Sequence, residues 1–129
     1  MTDDEQRREN LAQETITAYL ARQMDAANDK AIDAVGSEDA EDRGAAARQA
    51  KGRLDLWESQ RGLDAETAQA TAWAVLEEVE DAEKLVIYAG ALLKDVERHQ
   101  EARQRAHVTR QWLRDQGYDI PDYEKEPGL

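Results

Sequence analysis

Residues 64–96 read DAETAQATAWAVLEEVEDAEKLVIYAGALLKDV, and the fold turns on how this stretch is paced. Asp64 offers a side-chain acceptor for an N-cap, and Glu66 puts a carboxylate in the first turn, where the helix dipole favours it. Ala65, Ala68, Ala72, Val75, Val79, Ala82, Val86, Ala89, Leu93 and Val96 then recur in alternating steps of three and four. That is a heptad stripe. No proline occurs before Gln116, and Gly90 is the one glycine between Asp64 and Gln116. The spacing predicts a single long helix over about 64–116. Half of the stripe is alanine, which lets helix backbones approach closely, so the pattern suits a tight bundle seam. Leu85–Leu93 is apolar on every side, and such a segment is normally enclosed all round. A short chain has few helices to enclose it, so a second copy is expected to complete the cover. The expected interface is Val79, Val86, Ile87, Tyr88, Ala89, Gly90, Leu92 and Leu93.

Upstream, Thr2 and Glu5 have capping-box spacing, so a first helix is expected over about 3–35. Its apolar stripe runs Ile16, Leu20, Met24, Ala27, Ala31, Val35, and Gly36 stands where a left-handed C-cap belongs. Ser37–Arg43 is acidic and reads as a connector. A second helix is expected over about 45–60, with Ala47, Ala50, Leu54 and Trp57 on one face and Gly62 as its stop. Gly44 and Gly52 each cost about 1 kcal/mol in a helix interior, which marks this as the weakest region. Downstream of Gly117, residues 117–129 hold both prolines and read as an extended acidic tail. Tyr118, Ile120 and Tyr123 are its candidate docking side chains. The expected architecture is all-α: a three-helix antiparallel bundle over 1–116 with a long third helix, completed by oligomerisation.

Composition agrees with that class. Charged residues make up 36% of the 129, and the formal net charge is −12. With neither phenylalanine nor cysteine, and with alanine abundant, hydrophobic burial per residue is small. Long regular helices and self-association are the usual remedies. An acidic chain repels phosphate backbones and anionic membranes and attracts basic partners. The N-terminus, Met1-Thr2-Asp3-Asp4-Glu5, carries no apolar signal segment, and no apolar run approaches the roughly 18 residues of a membrane span. A cysteine-free chain fits a reducing compartment, so a cytoplasmic setting is expected. The Ala- and Arg-rich usage suits a GC-rich bacterium or its phage.

The inventory for catalysis is poor. Ser37 and Ser59 sit in no nucleophile motif, and no phosphate-binding glycine loop occurs. His99 and His107 lie eight apart, too far for an i, i+4 metal pair, and neither has the Glu three residues earlier that di-iron bundles use. No enzyme activity, cofactor or metal is expected. Two charged features remain. Glu77, Glu78, Glu80, Asp81 and Glu83 form a dense carboxylate array suited to a basic partner. His99, Arg103, His107, Arg110 and Arg114 continue the heptad stripe as a basic one, while the apolar positions shift sideways to Ala102, Ala106 and Leu113. Residues 94–114 carry six Lys or Arg against three acids. Cations near a helix C-terminus suit the dipole. They also suit pairing with acids of this chain or of a second copy. Direct nucleic-acid binding is opposed by the net charge.

Trp57-Glu58-Ser59, between two helical arms, resembles the W-x-G turn of small type VII secretion substrates. Tyr118-Asp119-Ile120-Pro121-Asp122 matches the Y-x-x-x-D tail signal of that system. The resemblance covers those two strings alone. Ser59 stands where that family has glycine, and the third helix expected here exceeds its compact hairpin.

These features point to a non-enzymatic helical protein–protein interaction or assembly protein, bacterial or phage, whose partners are proteins and most simply a second copy. The alternative is an acidic inhibitor, or nucleic-acid mimic, that blocks a basic nucleic-acid-binding protein such as a host-defence complex.

Overall fold

In the computed structural model, residues 2–88 and 92–122 are described. Among them the chain forms four helices and no strand: α1 Asp3–Asp33, α2 Ala40–Glu58, α3 Ala65–Tyr88 and α4 Leu93–Asp115. The all-α class is as the periodicity predicts. The count of three helices is not, because the segment expected as one helix over 64–116 is two.

The chain divides into two compact units, Ile16–Leu63 and the combination of Met1–Thr15 with Asp64–Leu129. In the first unit, α2 runs back along the later part of α1. The Trp57 indole donates to the Thr17 hydroxyl at 2.8 Å, forty residues away in sequence. Ile16, Leu20, Ala34, Ala50 and Leu54 are buried. α1 ends before Gly36, which has φ +82, with the Ser37 amide donating to the Ala34 carbonyl at 2.9 Å.

α2 begins at Ala40, ahead of the expected 45. The acidic run read as a connector supplies its first turn instead: Glu41 and Asp42 sit where the helix dipole favours carboxylates. It also stops before Gly62. The Arg61 amide donates to the Leu56 carbonyl and the Gln60 amide to that of Trp57, the two bonds of a Schellman motif. Gln60 takes the left-handed position, with φ +63.

The second unit is built on α3 and α4, which pack against each other. Asp64 caps α3, its Oδ1 accepting the Thr67 amide at 2.7 Å, and Thr2 Oγ1 accepts the Glu5 amide at 3.2 Å at the start of α1. Val75, Leu76, Val79 and Ala82 of α3 form one buried cluster with Ala102 and Ala106 of α4. Arg110, late in α4, reaches the carbonyl of Ala72, early in α3, so the two helices form an antiparallel hairpin. Leu92, extended at φ −74 and ψ 148, opens α4. The turn-back has a physical cause. It brings the alanine-rich stripe of α3 against Ala102, Ala106 and Leu113 of the same chain, and their small side chains let the backbones close up. A straight helix would leave both stripes to find cover elsewhere.

Candidate interaction surfaces

The hairpin has two ends of opposite character. At the base, α4 closes with a complete Schellman motif. Gly117 has φ +94, its amide donates to the Arg114 carbonyl at 2.9 Å, and the Tyr118 amide donates to the Leu113 carbonyl at 3.1 Å. This turn sends residues 118–122 back over the hairpin. Ile120 is buried and Tyr118 half-buried, while Tyr123 lies outside the described residues.

Two arginines of the expected basic stripe hold this segment. Arg110 has no exposed surface. Its Nη1 donates to the Ala72 carbonyl of α3 at 2.7 Å, and its Nη2 donates to the Pro121 carbonyl. Arg114 donates from Nε to the Ile120 carbonyl at 3.2 Å and pairs with Asp122 at 2.7 Å. Gln69 adds a bond to the Asp119 carbonyl at 3.3 Å. A buried guanidinium is tolerable because its planar fork reaches separate acceptors at once. Arg110 therefore stitches α3, α4 and the return segment together and is not a surface cation. Arg103 is exposed, and His99 and His107 are half-buried, so the five stripe residues do not form one continuous face.

At the tip the pattern reverses. Leu85 and Ile87 late in α3, and Leu92 and Leu93 at the start of α4, are all exposed, Ile87 by 60% and Leu93 by 74%. Tyr88 is 81% exposed. Val86 is half-buried. Val79 is a correction to the expected interface, since it belongs to the hairpin core and presents almost no surface. Ala89 and Gly90 lie outside the described residues. Of the acidic array, Glu77, Glu80, Asp81 and Glu83 are exposed and Glu78 is half-buried, all on the α3 arm leading to the tip.

The sequence reading missed one further feature of this unit. A groove of about 360 Å³ is lined by Glu5 and Glu9 of α1 and by His107, Trp112 and Asp115 of α4, with Val108 among its walls. Nothing in the spacing of α1 alone signals it, because its two sides are a hundred residues apart. No group of three or more His, Asp or Glu side chains placed to hold a metal ion occurs among the described residues. No helix among them is long and apolar enough to cross a membrane.

No family model, curated protein or solved structure matches this chain.

Proposed function

We propose that this chain is a non-enzymatic protein–protein interaction or assembly protein that associates with a second copy of itself through the tip of the α3–α4 hairpin. One observation carries the reading: Leu85, Ile87 and Tyr88 at the end of α3 and Leu92 and Leu93 at the start of α4 are all exposed. Scattered surface leucines need no explanation, but five large apolar side chains exposed where two helices meet in sequence suit a contact surface. Burying such side chains contributes about 1.5–3 kcal/mol each, and among the described residues of this unit Trp73 is the one other large apolar side chain exposed to a comparable degree. A bacterial or phage cytoplasm, where a cysteine-free acidic protein loses nothing to reduction, is the setting that goes with this reading.

Sedimentation equilibrium over a wide concentration range tests it. The wild-type chain is expected to form a dimer, and Ile87→Glu combined with Leu93→Glu to give a folded monomer by the same measurement and by circular dichroism. A wild-type chain that stays monomeric at the highest concentration would sink the proposal.

A second reading is favoured by the exposure of Glu77, Glu80, Asp81 and Glu83 along one arm. Such an array can occupy the basic groove of a nucleic-acid-binding protein by the electrostatics that attract a phosphate backbone. Salt separates the two readings. A complex held by the array weakens steeply with ionic strength, whereas an apolar contact does not.

A further inference from the structure

We infer that in the dimer joined at the hairpin tip α3 of each copy lies beside α4 of the partner, so that the acidic arm of one faces the basic arm of the other. The inference rests on the self-association proposed above and adds its geometry. A twofold contact uses the same patch on both subunits, with each element meeting its counterpart's complement. Two hairpins overlapped at their tips have two such arrangements. Either like helices face each other across the axis, α3 on α3 and α4 on α4, or unlike helices do.

Charge selects between them. From Glu77 to Tyr88, α3 carries five carboxylates and one cation, Lys84. From Leu92 to Arg105, α4 carries Lys94, Arg98, Arg103 and Arg105 against Asp95, Glu97 and Glu101. The α3 arm is thus at −4 and the α4 arm at +1. Most of the side chains that set these totals are on the surface: Glu77, Glu80, Asp81, Glu83, Lys94, Glu97, Arg98, Glu101 and Arg103 are exposed, while Glu78, Asp95 and Arg105 are half-buried. With like helices facing, the two −4 arms lie against each other beside an apolar contact that excludes water. With unlike helices facing, each −4 arm lies against a +1 arm, and this happens twice. Like charges across an interface select strongly against a register, and complementary ones fix it. On α4, Lys94, Arg98 and Arg105 follow at steps of four and seven and so share one side of the helix with Glu101, which offers the partner's carboxylates three cations against one acid.

One variant reverses the acidic arm, Glu80→Lys with Asp81→Lys and Glu83→Lys. The other reverses the basic arm, Lys94→Glu with Arg98→Glu and Arg105→Glu. These positions, all exposed except the half-buried Arg105, allow a test that leaves the fold intact. Circular dichroism reports that each is folded, and sedimentation at low salt reports association. With unlike helices facing, each variant alone associates more weakly than wild type, the basic-arm variant by about tenfold or more. An equimolar mixture then restores a two-chain species containing one copy of each, and added salt erases the contrast. With like helices facing, the acidic-arm variant would relieve the repulsion and dimerise more tightly than wild type, and that result overturns the arrangement. So does a mixture that restores nothing. A wild-type chain with no tendency to associate overturns the self-association itself, a distinct outcome from either of these.

Discussion

The base and the tip of the α3–α4 hairpin are made from similar material, helical segments carrying several apolar side chains, yet one is closed and the other open. At the base, residues 118–122 return across the helices, Ile120 is buried, and Arg110 and Arg114 bind backbone carbonyls of the returning chain. At the tip, Ile87, Tyr88, Leu92 and Leu93 stay exposed. The difference lies in what the chain can bring back to each end. A helix end followed at once by a glycine-closed turn and a short apolar segment can cover itself. The base is therefore where stability is concentrated and the tip is where we propose binding, and substitutions at the two ends should separate those properties.

The largest effect is expected from Arg110→Met. Methionine keeps much of the aliphatic volume but removes the carbonyl bonds to Ala72 and Pro121, each made by a charged donor that is itself fully buried. Losing them should lower the unfolding free energy by about 3 kcal/mol. Urea denaturation measures this. An unchanged midpoint would mean that the guanidinium contributes nothing net to the base. Deleting everything after Gln116 should cost somewhat less, about 2 kcal/mol, chiefly through the lost burial of Ile120. The loss is smaller because water can reach Arg110 once the return segment is gone. The exposed Arg114–Asp122 pair adds at most about 1 kcal/mol. If truncation leaves the thermal midpoint where it was, the return segment is not a structural part of the unit.

A finer test of the base is Gly117→Ala. Gly117 sits at φ +94, and a Cβ built there meets nothing within 4 Å. The cost is therefore conformational alone, about 1 kcal/mol. The C-terminal turn of α2 supplies the converse, because Gln60 holds the same place in its Schellman motif at φ +63. Gln60→Gly should stabilise, by about 0.5 kcal/mol once the greater freedom of glycine in the unfolded chain is deducted. Thermal melts of the two variants should move in opposite directions.

The caps and the stripe were the legible part of this fold. Thr2 and Asp64 cap as their spacing indicates, Gly36 and Gly117 take positive φ, and Ala68, Ala72, Val75, Val79 and Ala82 are buried. The division between α3 and α4 was not legible. The three-and-four stepping runs on unbroken through Val86, Ala89, Leu93 and Val96, and periodicity records which face is apolar without recording where a helix stops. Leu85–Leu93 reads as a segment that needs a second copy for cover, and Leu85, Ile87, Tyr88, Leu92 and Leu93 are exposed within one chain. Among the candidate sites, Arg110 and Arg103 look alike in sequence, both on the basic stripe. One is wholly buried and the other exposed, because the acceptors that decide it, the carbonyls of Ala72 and Pro121, lie on segments that only the tertiary fold brings together. The start of α2 was missed through composition: a run of acids resembles a solvated connector, but at a helix N-terminus the same acids are favoured.

The smallest effect on folding is expected at the tip. Tyr88→Ser and Leu93→Ser remove large apolar groups that in the monomer already face water, so little burial is lost and no hydrogen bond is orphaned. Surface changes of this kind typically stay within about 0.5 kcal/mol. The denaturation midpoint should hardly move when it is measured at a protein concentration low enough to keep the chains apart. At high concentration the outcome should change sign. A dimer binding only the folded state stabilises it by mass action, so the wild-type midpoint rises with concentration and that of the double variant does not. A variant that loses more than about 1 kcal/mol under dilute conditions would place Tyr88 or Leu93 in the monomer's own core. The contrast between a self-covered base and an open tip would then fail.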